Sequence, residues 1–123
     1  MKGVLYLRSY YDGIMDDVYN INIARGNMKG IQDKRISLAP SKELFDWYQN
    51  NKHKPNWFKD YNKVYLNQLK DNPAAINELN NIKHLLDEGK DVCIYCFCRD
   101  VKKCHRGIIG RLFLKKDYKV IVF

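Results

Sequence analysis

The stretch from Val92 to Phe113 constrains the fold more than any other. Val92-Cys-Ile-Tyr-Cys-Phe97 is a short run of β-branched, aromatic and small apolar residues, the pattern of a buried strand. Cys98 closes it, and Arg99 to Lys103 is too polar to stay inside. From Cys104, the apolar residues Ile108, Ile109, Leu112 and Phe113 fall at i, i+1, i+4 and i+5, one face of a helix. A strand, a charged turn and a helix in that order point to an α/β domain, where ligands bind beyond the carboxyl ends of the strands. Helix amino ends add unpaired N–H groups and a partial positive charge. With Arg99, Lys102, Lys103 and Arg106 crowding the same turn, the simplest reading is an anion site with thiols and an imidazole beside it.

The rest of the chain fits that frame. Gly3 to Ser9 reads as a first, mostly buried strand, followed by the polar and aromatic loop Ser9-Tyr10-Tyr11-Asp12-Gly13. Val18 to Arg25 alternates apolar residues with asparagines, as a half-buried or edge strand does. Asn27 to Ser37 has no period and carries Lys29, Lys34 and Arg35, a basic loop placed to build a site. Ser41 is an N-cap for a helix whose stripe is Leu44, Phe45 and Tyr48. Pro55 opens a second helix with Phe58, Tyr61, Tyr65 and Leu69 in register, read as core and not as a base-stacking platform. Asn72 caps a third, with Pro73 at its first position, Ile76, Leu79, Ile82, Leu85 and Leu86 as core face and Gly89 as its stop. Tyr118 to Phe123 is a last strand. The expectation is a single α/β domain over residues 1–123, three-layered and Rossmann-like, with a mainly parallel sheet and helices on both faces.

Composition narrows the function classes. A chain of 123 residues supports one core, and no apolar run approaches a membrane span, so a cytoplasmic protein without a membrane partner is expected. A formal net charge of +8 favours anionic partners such as nucleotides, nucleic acid or other phosphate compounds. The four cysteines Cys93, Cys96, Cys98 and Cys104 lie inside one element and the helix after it. A disulfide framework spreads its cysteines, so these are expected to be reduced thiols.

The segment Ser-Leu-Ala-Pro-Ser-Lys-Glu-Leu, Trp57 and Tyr61, and a Cys-x-Cys followed by Cys104-His105-Arg106 resemble domain-of-unknown-function family 488. The resemblance runs from the first strand to the last. It implies a three-layer α/β fold with the Cys-His-Arg signature opening a helix after a buried strand; it implies no settled activity. Where many relatives carry Asp-Val-Arg at the end of the second strand, Ile23-Ala24-Arg25 keeps only the arginine. Asp100 is the nearest equivalent of an acidic residue that many relatives have after the strand cysteine.

Three chemistries remain open from the residues. In the first, a nucleotide or related phosphate ligand is captured by Arg8, Ser9, Arg25, Arg99, Lys102 and Arg106, with Tyr10 and Tyr11 as a face for its base. In the second, Cys98, Cys104 and His105 act on such a ligand, the thiols activated by nearby cations and a helix start. Cys93 and Cys96 are expected to be inert strand thiols. The third is sequence-independent nucleic-acid binding. Zinc held by Cys96, Cys98, Cys104 and His105 is disfavoured, because Cys-x-Cys within a strand lacks the two-residue turn of structural sites. No metal and no cofactor is expected.

Overall fold

The computed structural model describes residues 1–123. Four strands, β1 (Val4–Ser9), β2 (Tyr19–Asn22), β3 (Val92–Cys96) and β4 (Lys119–Val122), form one sheet in the order β2-β3-β1-β4. Every pairing is parallel. The helices are α1 (Lys42–Asn51), α2 (Trp57–Asp71), α3 (Pro73–Asp87) and α4 (His105–Lys115). The mixed α/β, Rossmann-like architecture expected of the sequence is therefore present, and the sheet is wholly parallel. No helix is long and apolar enough to cross a membrane.

Central β3 is buried along its whole length, as the unbroken apolar run requires of a strand covered on both faces. Its neighbour β1 alternates, with Leu5, Leu7 and Ser9 buried and Val4, Tyr6 and Arg8 half-buried. Leu5, Leu7 and Ser9 pair with Val92, Ile94 and Cys96 and share their face. Helix α4 lies on that face: a Cβ added at Gly110 would sit 2.5 Å from the Leu7 side chain. The opposite face, that of Tyr95, is crossed by the connection from β1 to β2, where Met15 N donates to the Tyr95 hydroxyl at 2.9 Å. That connection has a single 3-10 turn, Tyr10–Asp12, and no α-helix.

Local signals decide the helix ends. Ser41 accepts a hydrogen bond from Leu44 N, and Asn72 accepts one from Ala74 N with Pro73 at the first helical position. Gly89, at φ 87°, takes the left-handed conformation that stops α3. Helix α2 starts at Trp57, two residues beyond Pro55, because Asn56 before it holds φ 61°. The stripes are narrower than periodicity suggests. Phe45 and Ile76 are each 39% exposed, while Ala75 beside Ile76 is fully buried. A helix hides only the side that meets a neighbour, and these two positions sit at its margin.

The two rims of the sheet differ. Beyond β2, the chain returns as a pseudo-strand: Asn22 N donates to Asp33 O at 2.8 Å, and Arg35 N to Asn22 O at 2.9 Å. Arg35, only 8% exposed, anchors this return through Asp33 at 3.0 Å and Glu78 of α3 at 3.1 Å. At the other rim β4 is the edge strand, paired only with β1.

Candidate functional site

The carboxyl end of β3 runs into a turn that folds back under α4. Asp100 caps the 3-10 turn Val101–Lys103 by accepting from Lys102 N. Gly107 lets that turn press against α4, since a Cβ there would lie 2.1 Å from Val101 O. The result brings Cys104, His105 and Arg106 of the first helical turn beneath Cys96 and Cys98.

Arg106 is 2% exposed and turns inward. Its Nη1 donates to Cys96 Sγ at 2.9 Å and to Cys98 O at 2.6 Å, and lies 3.6 Å from Cys104 Sγ. The two sulfurs of Cys96 and Cys104 are 2.7 Å apart. His105 Nε2 lies 2.8 Å from Ile23 O, and a carbonyl only accepts, so this nitrogen carries the proton. The other ring nitrogen, Nδ1, lies 3.7 Å from Cys104 Sγ. Tyr65 of α2 packs its ring edge-on against His105 at 5.6 Å and donates its hydroxyl to Leu38 O at 2.5 Å.

These contacts separate the four thiols. Burial alone pushes Cys96 up, but the Cys104 and Cys98 thiols and the charges of His105 and Arg106 outweigh it, leaving Cys96 well below the usual thiol range. Cys98 is pulled down by Cys104 but pushed up more by Cys96 and by burial, ending at about 11. Burial and the two neighbouring thiols hold Cys104 well above its ordinary value. Cys93, on the other face of β3, is pushed up to about 11 by burial. One proton-poor sulfur is thus held by an arginine and by thiols that keep their protons.

Above Cys96 opens a pocket of about 280 Å³. Tyr48, Trp57, Tyr61 and Phe97 form its aromatic walls, and Cys96, Cys98, Cys104 and His105 line it below. Arg25 and Lys103 supply its cations, with Arg25 held by its bond to Pro40 O at 3.2 Å. The β2 side is fixed by Asn22, fully buried, which accepts from Ala24 N and donates to Gly26 O, each at 2.8 Å.

The sequence-based site is therefore divided. Cys98, Cys104, His105, Arg106 and Arg25 come together. Arg8 does not join them: its guanidinium donates to Gly13 O at 2.6 Å, Phe123 O at 2.9 Å and Asp12 O. Ser9 is buried and caps Tyr11 N. Tyr10 donates to Lys29 O at 2.7 Å, and both tyrosines pack on Phe97 outside the pocket. Arg99 stacks over the Tyr11 ring, and Lys102 is exposed. Arg106 lies outside the pocket lining, and its guanidinium goes to sulfur and backbone carbonyls. Cys96 is the thiol set apart in protonation, where the strand pattern pointed to an inert core residue. The aromatic stripes of α1 and α2, read as core, form the pocket wall through Tyr48, Trp57 and Tyr61. No signal in helical periodicity separates a core-facing ring from one that faces a cavity. The alternation of β3 did carry a clue, since it puts Cys96 on the face opposite Cys93, but not what α4 would bring beneath it.

Cys96, Cys104 and His105 also present three donor atoms within 4.8 Å of one another. The His105 Nε2 bond to a carbonyl is the outer contact that a metal-bound histidine makes. Arg106 weighs against a cation: its guanidinium already lies against two of the three donors, and a metal beside it would face a fixed positive charge.

Fold and site define a small parallel α/β protein with a buried cysteine–arginine centre under an aromatic pocket. The chain belongs to the DUF488-N3a family, whose model, described as the active DUF488-N3 subclade, matches residues 9–117. No curated protein and no solved structure matches it.

Proposed function

We propose that this chain binds a nucleotide or nucleotide-derived ligand and acts on it with Cys96 as the nucleophile. The observation that carries the reading is the Arg106–Cys96 contact at 2.9 Å on the floor of an aromatic pocket. Ligand sites of drug-like size span roughly 300–1,000 Å³. At about 280 Å³ this pocket takes one ring system and leaves a sugar and phosphate outside, toward Arg25 and Lys103. Tyr48, Trp57 and Phe97 offer faces to a flat ring, as nucleobases require. The word "active" in the family description is in keeping with a catalytic thiol.

The chemistry follows from the protonation pattern. The Cys96 sulfur lone pair forms a bond to an electrophilic carbon of the ligand while the bond to the leaving group breaks, and the leaving group takes a proton. Cys104, protonated and 2.7 Å from Cys96 Sγ, is positioned to give that proton to the leaving group, its own sulfur then left as a thiolate beside Arg106 Nη1. Arg106 keeps the sulfur charged and does not touch the ligand.

Iodoacetamide labelling with peptide mapping tests both halves. Cys96 is expected to be alkylated first, at a rate that reaches its plateau at a pH below the ordinary thiol range, and nucleoside monophosphates are expected to slow it while quenching tryptophan emission. Alkylation of Cys98 ahead of Cys96, rising only toward pH 11, would overturn the nucleophile assignment. An unprotected Cys96 with no change in tryptophan emission would overturn the ligand class.

A further inference from the structure

A second concavity adjoins the pocket. It has a volume of about 520 Å³ and shares Trp57 and Lys103 with the aromatic pocket. Lys52, Lys54 and Lys59 line it together with Lys103 and His53, and no carboxylate does. None of these lysines takes part in an ion pair; the salt bridges of the molecule belong to Arg35 and Lys90. Lys52 is the one with side-chain partners, neutral Gln49 at 3.3 Å and the face of the Tyr48 ring at 5.6 Å. Four like charges gathered in one hollow repel each other, and an anion bound among them relieves that repulsion.

One nucleotide does not account for this. Arg25 and Lys103 at the pocket rim already match a single phosphate group, and the remaining lysines extend away from the pocket around the α1–α2 junction. We propose that the substrate is a single-stranded nucleic acid, its backbone lying along the Lys52–Lys59 groove and one unpaired base turned past Trp57 into the pocket. The geometry is that of single-strand binders generally: a basic track for phosphates beside an aromatic surface for a base. Lysines without a bidentate arginine neutralise phosphate and read no sequence, so the groove selects a polymer and not a base order. A duplex is excluded as the bound form, because its bases are not free to enter. The proposal rests on the pocket reading above and names the polymer to which the bound base belongs.

The test measures binding of a fluorescein-labelled ten-nucleotide oligothymidylate by anisotropy, beside thymidine monophosphate followed by Trp57 quenching. The oligomer is expected to bind at least tenfold more tightly than the monophosphate. Its logarithmic salt slope should be about −2 to −3, at roughly 0.7 per phosphate neutralised. Replacing Lys52, Lys54 and Lys59 by glutamine should flatten that slope by about 2. The monophosphate affinity, Cys96 alkylation and melting temperature should stay unchanged, since all three side chains are exposed. Equal affinity for oligomer and monophosphate overturns the groove while leaving the pocket standing. Binding of a ten-base-pair duplex or of inorganic polyphosphate as tight as that of the oligomer overturns the single-strand assignment. Oligomer binding that survives the lysine replacements with its slope intact places the backbone elsewhere and overturns it too. If the monophosphate neither quenches Trp57 nor protects Cys96, the pocket reading has failed, and the inserted base fails with it.

Discussion

The carboxyl ends of β1 and β3 lie side by side and look alike in composition. Each offers an arginine, aromatic rings and a hydroxyl or thiol at the point where α/β sheets bind ligands. Yet Arg8 is spent on the backbone of Asp12, Gly13 and Phe123, and Ser9 on its own turn. After β3, the helix start brings Arg106 to a sulfur, and α1 and α2 leave a cavity above it. The difference is where the hydrogen-bond capacity goes. A donor that closes a loop is structural however well it is placed, and a donor that holds a charged sulfur under a cavity is chemical.

The sharpest way to break that contrast is to remove one group from each end. Cys96→Ser should abolish turnover of any ligand the pocket processes, by on the order of a thousandfold or more, as loss of a nucleophile does. Arg8→Ala should leave that rate alone and lower stability by about 1–2 kcal/mol through its lost carbonyl contacts, read by thermal melting. A variant at Arg8 that silences activity would return the β1 end to the site.

Arg106→Ala comes next. Without its guanidinium, Cys96 loses the charge that favours the thiolate, so the alkylation rate should plateau at a higher pH. Melting should show a loss of about 2–4 kcal/mol, because Cys98 O and a buried sulfur are left without a donor. Arg106→Lys should recover part of the stability but not the alkylation profile, since a single ammonium cannot span sulfur and carbonyl together.

Stability against pH sharpens the contrast between the two faces of β3. Cys96 has its folded value lowered, so between that value and its ordinary 9.0 the unfolded chain holds a proton that the folded one has released. Stability from this group rises with pH up to about 9 and is lost as pH falls through the folded value. Cys93 and Cys98 behave oppositely: each is pushed up to about 11, so between 9.0 and about 11 the unfolded chain loses protons that the folded chain keeps. Stability should therefore fall with rising pH over that span. Cys96→Ala should flatten the arm below pH 9 and Cys93→Ala the arm above it, measured as melting temperature.

The smallest effect separates the aromatics. Trp57→Ala should weaken ligand binding about tenfold, the worth of roughly one stacking contact. Tyr11→Ala, at a ring that is 58% exposed and lies outside the pocket, should leave binding unchanged and move stability by under about 0.5 kcal/mol.

Much of the fold was legible because its signals are local. The unbroken apolar run of β3, the Ser41 and Asn72 caps, Pro73 and Gly89 each act within a few residues, and all appear where their chemistry requires. The site was legible only as an address. Cys104-His105-Arg106 marked the right helix start, but the roles of its members depend on distant partners: Ile23 for His105, Cys96 for Arg106, α1 and α2 for the pocket. Ring periodicity in those helices records that one side is covered, not that the cover leaves room for a ligand. The contacts of Arg8 are hidden from the sequence for the same reason, its partner Phe123 lying 115 positions away.

The uneven rims of the sheet have a practical consequence. The rim beside β2 is sealed by the returning backbone of Asp33 and Arg35, whereas β4 shows its outer N–H and C=O groups to any strand that drifts alongside. Lys119 is the sole charge on that four-residue strand, and Val122 and Phe123 are each 61% exposed. Edge-to-edge association in concentrated or warmed samples is therefore expected at β4, two strands away from the sulfurs of β3. Val122→Lys should lower light scattering on warming and leave Cys96 alkylation unchanged.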